Sequence, residues 1–402
     1  MRESLEPGAP GPAGTVPLCI PYIAGNEWQY VKECLDTNWV SSVGSFVDRF
    51  EDELAAYIGA KFGVAVTSGT AALHIALMVA GVKADDEVLV STLSFVAPAN
   101  AIRYIGAWPV FMDADPQYWQ MDAEKTQLFL ENECIWKNGQ LENKSTGRRV
   151  KAILPVHILG HPCDMEPIVK IAHDFNLTVI EDATESLGAG YKGNMVGHLG
   201  DIACFSFNGN KIITTGGGGM IVTDNQEWSD RARYLTTQAK DDPIEYIHNE
   251  IGYNYRLTNI QAAMGVAQLE RLDEFVEKKR TIAARYQEGL GDLDGIGLMA
   301  AQPDTSPVYW LYTALLGPST NLEDRKLFVK RLNEAGFGAR PLWRPLHLLP
   351  PYEDCQSFMI DQAVSLYNRS VSLPSSVGLE SDDQQRCIST FRALADSLKV
   401  LA

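Results

Sequence analysis

Short runs of apolar and β-branched residues alternate along the chain with stretches of helical periodicity. Residues 62–67 predict a strand, residues 68–70 a turn and residues 71–80 a helix. Residues 87–91 predict a second strand, and residues 97–104 predict a second helix. Because alternating strands and helices build β-α-β units, the pattern predicts an α/β fold with a large, mostly parallel sheet.

Further buried strands are predicted at residues 150–156 and 177–181, each followed by a polar or glycine-containing turn. Another apolar run, residues 201–207, ends beside a glycine-rich segment. Ligands of open α/β sheets bind at the carboxyl ends of the strands, so we expect the functional residues there. Residues 128–149 are rich in Asn, Lys, Glu and Gly and predict a polar surface excursion.

From residue 258 to residue 290 the pattern becomes continuously helical, which predicts one long helix that connects two domains. A chain of 402 residues also exceeds one ordinary domain. We therefore expect a flexible leader at residues 1–16 and a large cofactor-binding domain at residues 17–257. The connecting helix and a smaller C-terminal α/β domain are expected at residues 258–402.

Composition and charge narrow the classes of function. The formal net charge of -17 argues against binding along nucleic acid or at an anionic membrane surface, because both require basic patches. The sequence shows no signal peptide and no apolar stretch of transmembrane length. Its seven cysteines are scattered without C-x-x-C spacing, which favours reduced thiols in the cytoplasm over disulfides or a metal site.

The turn Ser68-Gly69-Thr70 joins a predicted strand to a predicted helix. The free N–H groups and the positive dipole end of the first helical turn favour an anion, and Gly69 allows a close approach of the backbone. An ordinary N-cap is the simpler explanation of this tripeptide taken alone.

Asp182 stands where the predicted strand 177–181 meets a turn, directly after Glu181. A carboxylate in this place could keep a pyridine nitrogen protonated by a charge-assisted hydrogen bond, which makes a bound ring an electron sink. A strand-end aspartate that caps the following turn explains this segment equally well.

Lys211 follows the apolar run 201–207, which ends near Ser206, and precedes the four glycines 216–219. A lysine secluded in such a loop can attack a carbonyl group and form an imine. Most lysines in loops are exposed to solvent, but the flanking strand and glycines favour a functional position here. The aromatic and polar segment 252–263 gives no functional information by itself, although Thr258 or Asn259 is expected to cap the following helix.

In their order and spacing these segments resemble one protein family. The series consists of Ser68-Gly69-Thr70, Ser94-Phe95, Glu181-Asp182, residues 205–211 and residues 252–256. Together they resemble the DegT/DnrJ/EryC1/StrS group of pyridoxal-phosphate-dependent sugar aminotransferases, from Pro17 to the C-terminus. The resemblance implies the fold-type I aspartate aminotransferase architecture, with a large mostly parallel-sheet domain and a smaller C-terminal α/β domain.

The resemblance also implies the chemical roles of two residues. Lys211 would bind pyridoxal 5'-phosphate as a Schiff base and later transfer the proton during both half-reactions. Asp182 would pair with the pyridine nitrogen of the cofactor. The amine donor would be L-glutamate, and the acceptor would be the keto group of a nucleotide sugar.

Five further residues would contact the cofactor by the same resemblance. Gly69, Thr70 and Ser206 would hold its phosphate, and Phe95 would stack on its ring. Asn254 would reach the phosphate bound by a neighbouring subunit. A homodimer with shared active sites is therefore part of the prediction.

Two positions depart from the common family pattern. Glu185 stands where much of the family has Gln or His near the phenolic oxygen of the cofactor, and a carboxylate there would repel the phenolate unless it is protonated or turned away. We assign Glu185 to the cofactor site. The glycines 216–219 replace the common Gly-Glu-Gly-Gly, and together with residues 25–28 and 160–165 they resemble the LegC-like subgroup.

That subgroup converts a UDP-linked 4-keto-6-deoxy-N-acetylhexosamine to its 4-amino sugar, for surface glycan or legionaminic-acid-type biosynthesis. The alternative is a GDP-perosamine synthase, which performs the same chemistry on GDP-linked 4-keto-6-deoxymannose. Trp39, Ser42 and His347 are candidates for the sugar-nucleotide pocket, and packing or capping explains each of them equally well.

Two rival functions are consistent with the same scaffold. A dehydratase offshoot of the family has histidine in place of the lysine, so Lys211 counts against it. The other rival is a non-catalytic regulatory member of the fold. A binding protein has no need of the complete set of cofactor residues, so their presence favours the enzyme.

Overall fold

The computed structural model describes residues 14–242 and 244–398. Most of the predicted leader, residues 1–16, lies outside these ranges; within its described part, Val16 forms a parallel bridge with Phe337. Across the described ranges, no helix combines the length and the apolar character that a membrane crossing requires.

The described strands are short and are numbered along the chain. They are β1 (Phe62–Val66), β2 (Glu87–Ser91), β3 (Trp108–Met112), β4 (Cys134–Lys137), β5 (Gln140–Asn143), β6 (Val150–Leu154), β7 (Thr178–Asp182), β8 (Gly190–Tyr191), β9 (Asn194–Met195), β10 (Ile202–Ser206), β11 (Gly219–Thr223), β12 (Gly297–Leu298), β13 (Thr305–Ser306), β14 (Tyr312–Leu315), β15 (Ser357–Phe358) and β16 (Ser370–Leu373).

The described α-helices are numbered in the same way. They are α1 (Glu27–Asp36), α2 (Ser45–Ile58), α3 (Gly69–Val79), α4 (Ala97–Tyr104), α5 (Ala123–Glu133), α6 (Met165–Asp174), α7 (Gln226–Thr236), α8 (Asn259–Leu269), α9 (Leu272–Leu290), α10 (Leu322–Glu334), α11 (Gln362–Arg369) and α12 (Ser381–Leu398). Short 3-10 helices lie at Ile158–Gly160, Leu346–Leu348 and Pro350–Tyr352.

The large sheet has eight strands in the order β1-β11-β10-β7-β6-β2-β3-β15. Strand β11 runs antiparallel to both of its neighbours, and the other adjacent pairs are parallel. Smaller sheets are formed by β12-β14-β16, by β13-β8-β9 and by the hairpin β4-β5. The predicted α/β fold with a large, mostly parallel sheet is therefore confirmed.

Alternate residues of the strands face opposite sides of the large sheet, and both sides are apolar. Val64 and Val66 belong to the core cluster under α3 and α4, whereas Ala65 faces the cluster that contains α2 and α8. Val88 and Leu89 divide in the same way between two clusters. Because helices cover both faces of the sheet, the sequences of these strands are continuous apolar runs and do not alternate between apolar and polar residues.

The predicted single helix over residues 258–290 is wrong, because the structure has two helices, α8 and α9. Glu270 and Arg271 lie at the break. Glu270 accepts hydrogen bonds from Asn26, Tyr30 and Arg49, and the Arg271 guanidinium donates to the carbonyl of Ala24. Glu and Arg both favour helices, so the sequence gives no local signal for a break here. The break coincides instead with these contacts to distant segments.

Helix α9 contributes to two different cores. Leu272, Phe275 and Val276 belong to the cluster of the large sheet. Further along the helix, Ile282 and Tyr286 belong to a separate cluster around β14 and β16. The division of the chain at residue 258 stays a prediction, since α8 and the start of α9 pack with the large sheet.

Residues 128–149, predicted as a polar surface excursion, contain regular structure. The first of them complete α5, where Phe129 and Leu130 are buried. The next form the hairpin β4-β5, in which Ile135 and Trp136 are exposed. Asn138 and Gly139 make the connection with positive φ angles of 52° and 77°, as two-residue hairpin turns require.

Candidate active site

A cavity of about 260 Å³ lies beside the N-terminus of α3 and the loops that follow β7 and β10. The predicted residues that line it are Gly69, Thr70, Phe95, Glu185, Ser206 and Lys211. The loops of separate strands thus bring these residues together, as expected for the carboxyl ends of a parallel sheet. The Phe95 side chain is 53% exposed at the edge of this cavity.

The N-terminus of α3 forms one end of the cavity. Ser68 is the N-cap, and its hydroxyl accepts a hydrogen bond from the N–H of Ala71 at 3.1 Å. A Cβ atom on Gly69 would lie 2.8 Å from Cβ of Ser206 and 3.1 Å from Cγ2 of Thr184, so only glycine fits there. The N-cap explanation and the anion-site explanation are compatible, because the N–H groups of Gly69 and Thr70 are left for a ligand.

The two acidic residues at the end of β7 have different functions. Glu181 accepts hydrogen bonds from the backbone N–H groups of Gly197, Leu199 and Gly200 at 2.6–2.9 Å, so it anchors a loop on the far side of the strand. Asp182 points to the opposite side, as the period of a strand requires. Glu181 is therefore structural, which leaves Asp182 as the carboxylate for chemistry.

Asp182 is buried and does not line the cavity itself, whereas Thr184, two residues later, does. One of its carboxylate oxygens accepts a hydrogen bond from the N–H of Thr184 at 3.1 Å. Burial raises the pKa of Asp182, while the Thr184 hydrogen bond and the positive charge of Lys211 oppose this increase. A cationic ring nitrogen hydrogen-bonded to this carboxylate would stabilise its negative charge.

Lys211 is not a solvent-exposed loop lysine, since its side chain is only 13% exposed. Its N–H donates to the carbonyl of Asn208 at 3.0 Å, which closes a tight turn after β10. Nζ lies 3.5 Å from Oε1 of Glu185 and 4.0 Å from the centre of the Trp310 ring. The amine therefore lies in the cavity between a carboxylate and an aromatic face.

Glu185 is held firmly in the wall of the cavity. Its Oε2 accepts a hydrogen bond from the N–H of Leu159 at 2.8 Å. Leu159 has a φ of 60°, an unusual backbone conformation for a residue other than glycine that aims this N–H at the carboxylate. Burial raises the pKa of Glu185, and the charge of Lys211 partly offsets this increase.

The residues of this cavity fit pyridoxal phosphate, the cofactor implied by the resemblance. A cup at the helix N-terminus, too small for any side chain at Gly69, fits a phosphate group. A buried carboxylate at Asp182 fits a protonated ring nitrogen, and Lys211 lines the same cavity as the cup. Each end of the cofactor thus has a matching group in the protein.

Sequence reasoning missed the opposite wall of the cavity, which is formed by Trp310, Arg340 and Trp343. The two indole rings are almost parallel, at 8°, with centres 6.3 Å apart. Within the described ranges the Arg340 guanidinium has no ion pair and no hydrogen bond; its centre lies 5.7 Å from the Trp343 ring. Of these three residues only Trp343 lies near a predicted site residue in the sequence, since it stands shortly before His347.

Besides Asp182, four predicted residues do not line this cavity. Trp39 is 56% exposed, and Ser42 lies near it in the segment before α2. Nδ1 of His347 lies 2.7 Å from the hydroxyl oxygen of Thr92. Asn254 is exposed and forms a backbone bridge with Thr237. Their substrate and intersubunit roles stay predictions.

Comparisons with known proteins agree with this geometry. The GDP-perosamine synthase of Caulobacter vibrioides is 40% identical over 380 residues, which cover 94% of this chain and 97% of that protein. The GDP-perosamine synthase of Escherichia coli O157:H7 is 40% identical over 368 residues, which cover 91% of this chain and 95% of that protein.

Among solved structures, the aminotransferase TlmJ from Streptoalloteichus hindustanus superimposes with a TM-score of 0.86 at 28% identity, covering 96% of this chain and all of that one. The predicted fold-type I architecture is thereby confirmed. The sequence pattern of the DegT/DnrJ/EryC1/StrS aminotransferase family matches residues 21–392. This chain therefore belongs to that family of sugar aminotransferases, and its cofactor is pyridoxal phosphate.

Proposed function

We propose that the protein transfers the amino group of L-glutamate to the keto carbon of a nucleotide-linked 4-keto-6-deoxy sugar. The observation that carries this proposal is the position of Lys211, whose amine lies in the cavity beside Glu185 and whose positive charge acts on the buried Asp182. The complete set of groups favours catalysis over a regulatory role, and the lysine counts against the dehydratase chemistry.

Pyridoxal phosphate, when bound, supplies the electron sink that makes proton removal from the amine-bearing carbon possible. Lys211 is the attachment point for the cofactor and the base that moves this proton, which is acid–base work over a short distance. Asp182 keeps the ring nitrogen protonated, and Gly69, Thr70 and Ser206 hold the phosphate.

Glu185 tunes the acidity of the site. Because burial favours its neutral form, the carboxyl group can donate a hydrogen bond where other family members place Gln or His. This removes the conflict with a phenolate that a permanently charged carboxylate would create.

Arg340 binds an anionic group of the substrates in this proposal. Its guanidinium faces the cavity without a carboxylate partner in the described ranges, and burial lowers its pKa while the charge of Glu185 counteracts this. A partly buried guanidinium is stabilised by an anion, and both substrates carry one: the carboxylates of glutamate and the diphosphate of the nucleotide sugar.

For the nucleotide sugar we propose GDP-linked 4-keto-6-deoxymannose as the first candidate. The support is the 40% identity, along almost the whole chain, to two GDP-perosamine synthases. Two of the glycines that suggested the UDP-specific subgroup have a packing explanation: a Cβ on Gly219 would lie 2.5 Å from the carbonyl oxygen of Ser68, and one on Gly218 would lie 2.3 Å from Oγ1 of Thr215. A Cβ on Gly217, which stands where the common pattern has Glu, would meet no atom within 4 Å, so packing does not explain that departure.

The UDP-linked 4-keto-6-deoxy-N-acetylhexosamine is the second candidate, favoured by the LegC-like segments 25–28 and 160–165. Assembly as a homodimer, with Asn254 reaching the phosphate site of the other subunit, is part of the proposal. The exposed position of Asn254 supports it. A cytoplasmic location is supported by seven cysteines that all have free thiols.

The test offers GDP-linked and UDP-linked 4-keto-6-deoxy sugars in parallel, each with glutamate, and measures 2-oxoglutarate and the aminated sugar. We expect turnover of the GDP sugar. Turnover of only the UDP sugar would transfer the enzyme to the second candidate. If neither sugar is aminated and pyridoxal phosphate gives no Lys211-dependent absorbance band, the hypothesis of a non-catalytic regulatory protein would be favoured.

A further inference from the structure

Lys279, on α9, is a buried cation without a buried anion. Lys279 is only 2% exposed. Within the described ranges, no carboxylate lies within ion-pair distance of its Nζ. Burial lowers the pKa of Lys279 to about 8. Its neighbours on the inner face of α9, such as Phe275 and Ile282, are apolar. A charge in this place must be compensated by specific acceptors.

Those acceptors are two backbone carbonyl groups. Nζ of Lys279 donates to the carbonyl of Trp310 at 2.6 Å and to the carbonyl of Ser375. Trp310 precedes β14, and Ser375 follows β16, the neighbouring antiparallel strand. The ammonium thus joins two chain segments at one end of the small sheet, and of the two residues it contacts, Trp310 lines the cavity.

Trp310 contacts the reactive lysine in two ways. Its indole N–H donates to the carbonyl of Asn210, the residue before Lys211, at 2.6 Å. The face of the same ring lies 4.0 Å from Nζ of Lys211. The negative face of an indole ring stabilises a positive charge placed over it. Trp310 therefore fixes both the backbone and the charged end of the lysine loop.

We propose that Lys279 is a positioning residue for Lys211, and that it acts by holding the carbonyl of Trp310 so that the indole stays against the reactive amine. This inference rests on the proposed function, because it assigns Lys211 the reactive role. Loss of the Lys279 ammonium frees the Trp310 carbonyl and lets the ring move. The positive charge on the cofactor–lysine linkage then loses its aromatic partner.

The experiment measures the pH midpoint of the absorbance change of enzyme-bound pyridoxal phosphate in Lys279→Met and Trp310→Phe. We expect both to lower the midpoint by about half a pH unit to one pH unit, since a cation–π contact favours the protonated linkage. Lys279→Gln, which is neutral but whose side-chain amide can still donate hydrogen bonds, is expected to give a smaller shift in the same direction, and it serves if Lys279→Met does not fold.

Tyr286→Phe is the matched control. The Tyr286 hydroxyl also reaches from α9 to this region, donating to the carbonyl of Pro374 at 2.9 Å, but it does not touch Trp310. If Lys279 only stabilises the fold, Lys279→Met and Tyr286→Phe both lower the melting temperature, and neither moves the pH midpoint of the absorbance change. An unchanged midpoint in both Lys279 variants, or an equal shift in Tyr286→Phe, would overturn the inference.

The double variant Lys279→Met/Trp310→Phe tests whether Lys279 acts through Trp310. We expect its midpoint to match that of Trp310→Phe alone, because residues in one network are not additive. Fully additive shifts would overturn the inference. A wild-type protein without any Lys211-dependent absorbance band would instead refute the proposed function, so the two failures are distinguishable.

Discussion

The two walls of the cavity differ in origin. The wall formed by Gly69, Ser206 and Lys211 is built from strand ends and a helix N-terminus of the large sheet, where short motifs fix the backbone locally. The facing wall of Trp310 and Arg340 comes from segments far along the chain that no local pattern connects to the site. We infer that the first wall holds the cofactor and that Arg340 of the second wall binds the substrates, while Trp310 of the second wall contacts the cofactor lysine.

The largest expected effect belongs to the cofactor wall. In the proposed function Lys211 is both the cofactor attachment and the proton-moving amine, so Lys211→Ala should lower turnover by about 10³-fold or more. The measurement is 2-oxoglutarate formation together with the absorbance band of the cofactor. Lys192→Ala, which removes a surface lysine paired with Glu166, is the control and should keep both.

Arg340→Gln tests the substrate wall. It should raise the KM for one substrate by about 10- to 100-fold, the value of a hydrogen bond to a charged group, without changing the cofactor spectrum. KM is measured separately for glutamate and for the nucleotide sugar. The exposed Arg344 gives the control, Arg344→Gln. A changed spectrum in Arg340→Gln would contradict the assignment of Arg340 to substrate binding alone.

Gly69→Ala returns to the cofactor wall with a smaller change. The new methyl group would lie 2.8 Å from Cβ of Ser206, inside the proposed phosphate cup. The dissociation constant for pyridoxal phosphate should rise about tenfold, while the KM for glutamate changes little. Gly209→Ala is the control, because no atom lies within 4 Å of its added Cβ. Equal effects of the two substitutions would contradict the cup.

Glu185→Gln should give the smallest effect, one that depends on pH. Burial raises the pKa of Glu185 in the folded state, so the folded protein resists ionisation as pH rises and loses stability above the ordinary pKa of glutamate. Gln has no such cost. The melting temperature of the variant relative to wild type should therefore be higher at pH 8 than at pH 4, by about 1–2 °C.

Local patterns predicted the parts of the fold that are decided locally. Glu87–Ser91 and Ala97–Tyr104 have the predicted bounds. The break between α8 and α9 could not be predicted, because Glu270 and Arg271 are held by residues more than two hundred positions away. The hairpin turn at Asn138-Gly139, by contrast, could have been predicted from the sequence, since this pair favours a two-residue turn.

The candidate site divides in the same way. Gly69, Ser206 and Lys211 were found because their motifs encode a turn and a strand end. Arg340 has no motif, and only its approach to the cavity reveals it. Trp39 and Ser42 were chosen by residue type, which says nothing about the direction in which an exposed segment faces.

Reduction of the protein with borohydride in the presence of pyridoxal phosphate, followed by peptide mass mapping, tests the central claim most directly. The account predicts one phosphopyridoxyl adduct, on the peptide that contains Lys211, and its absence in Lys211→Ala. An adduct on another lysine, or no adduct in the wild-type protein, would contradict the assignment of Lys211 as the cofactor lysine.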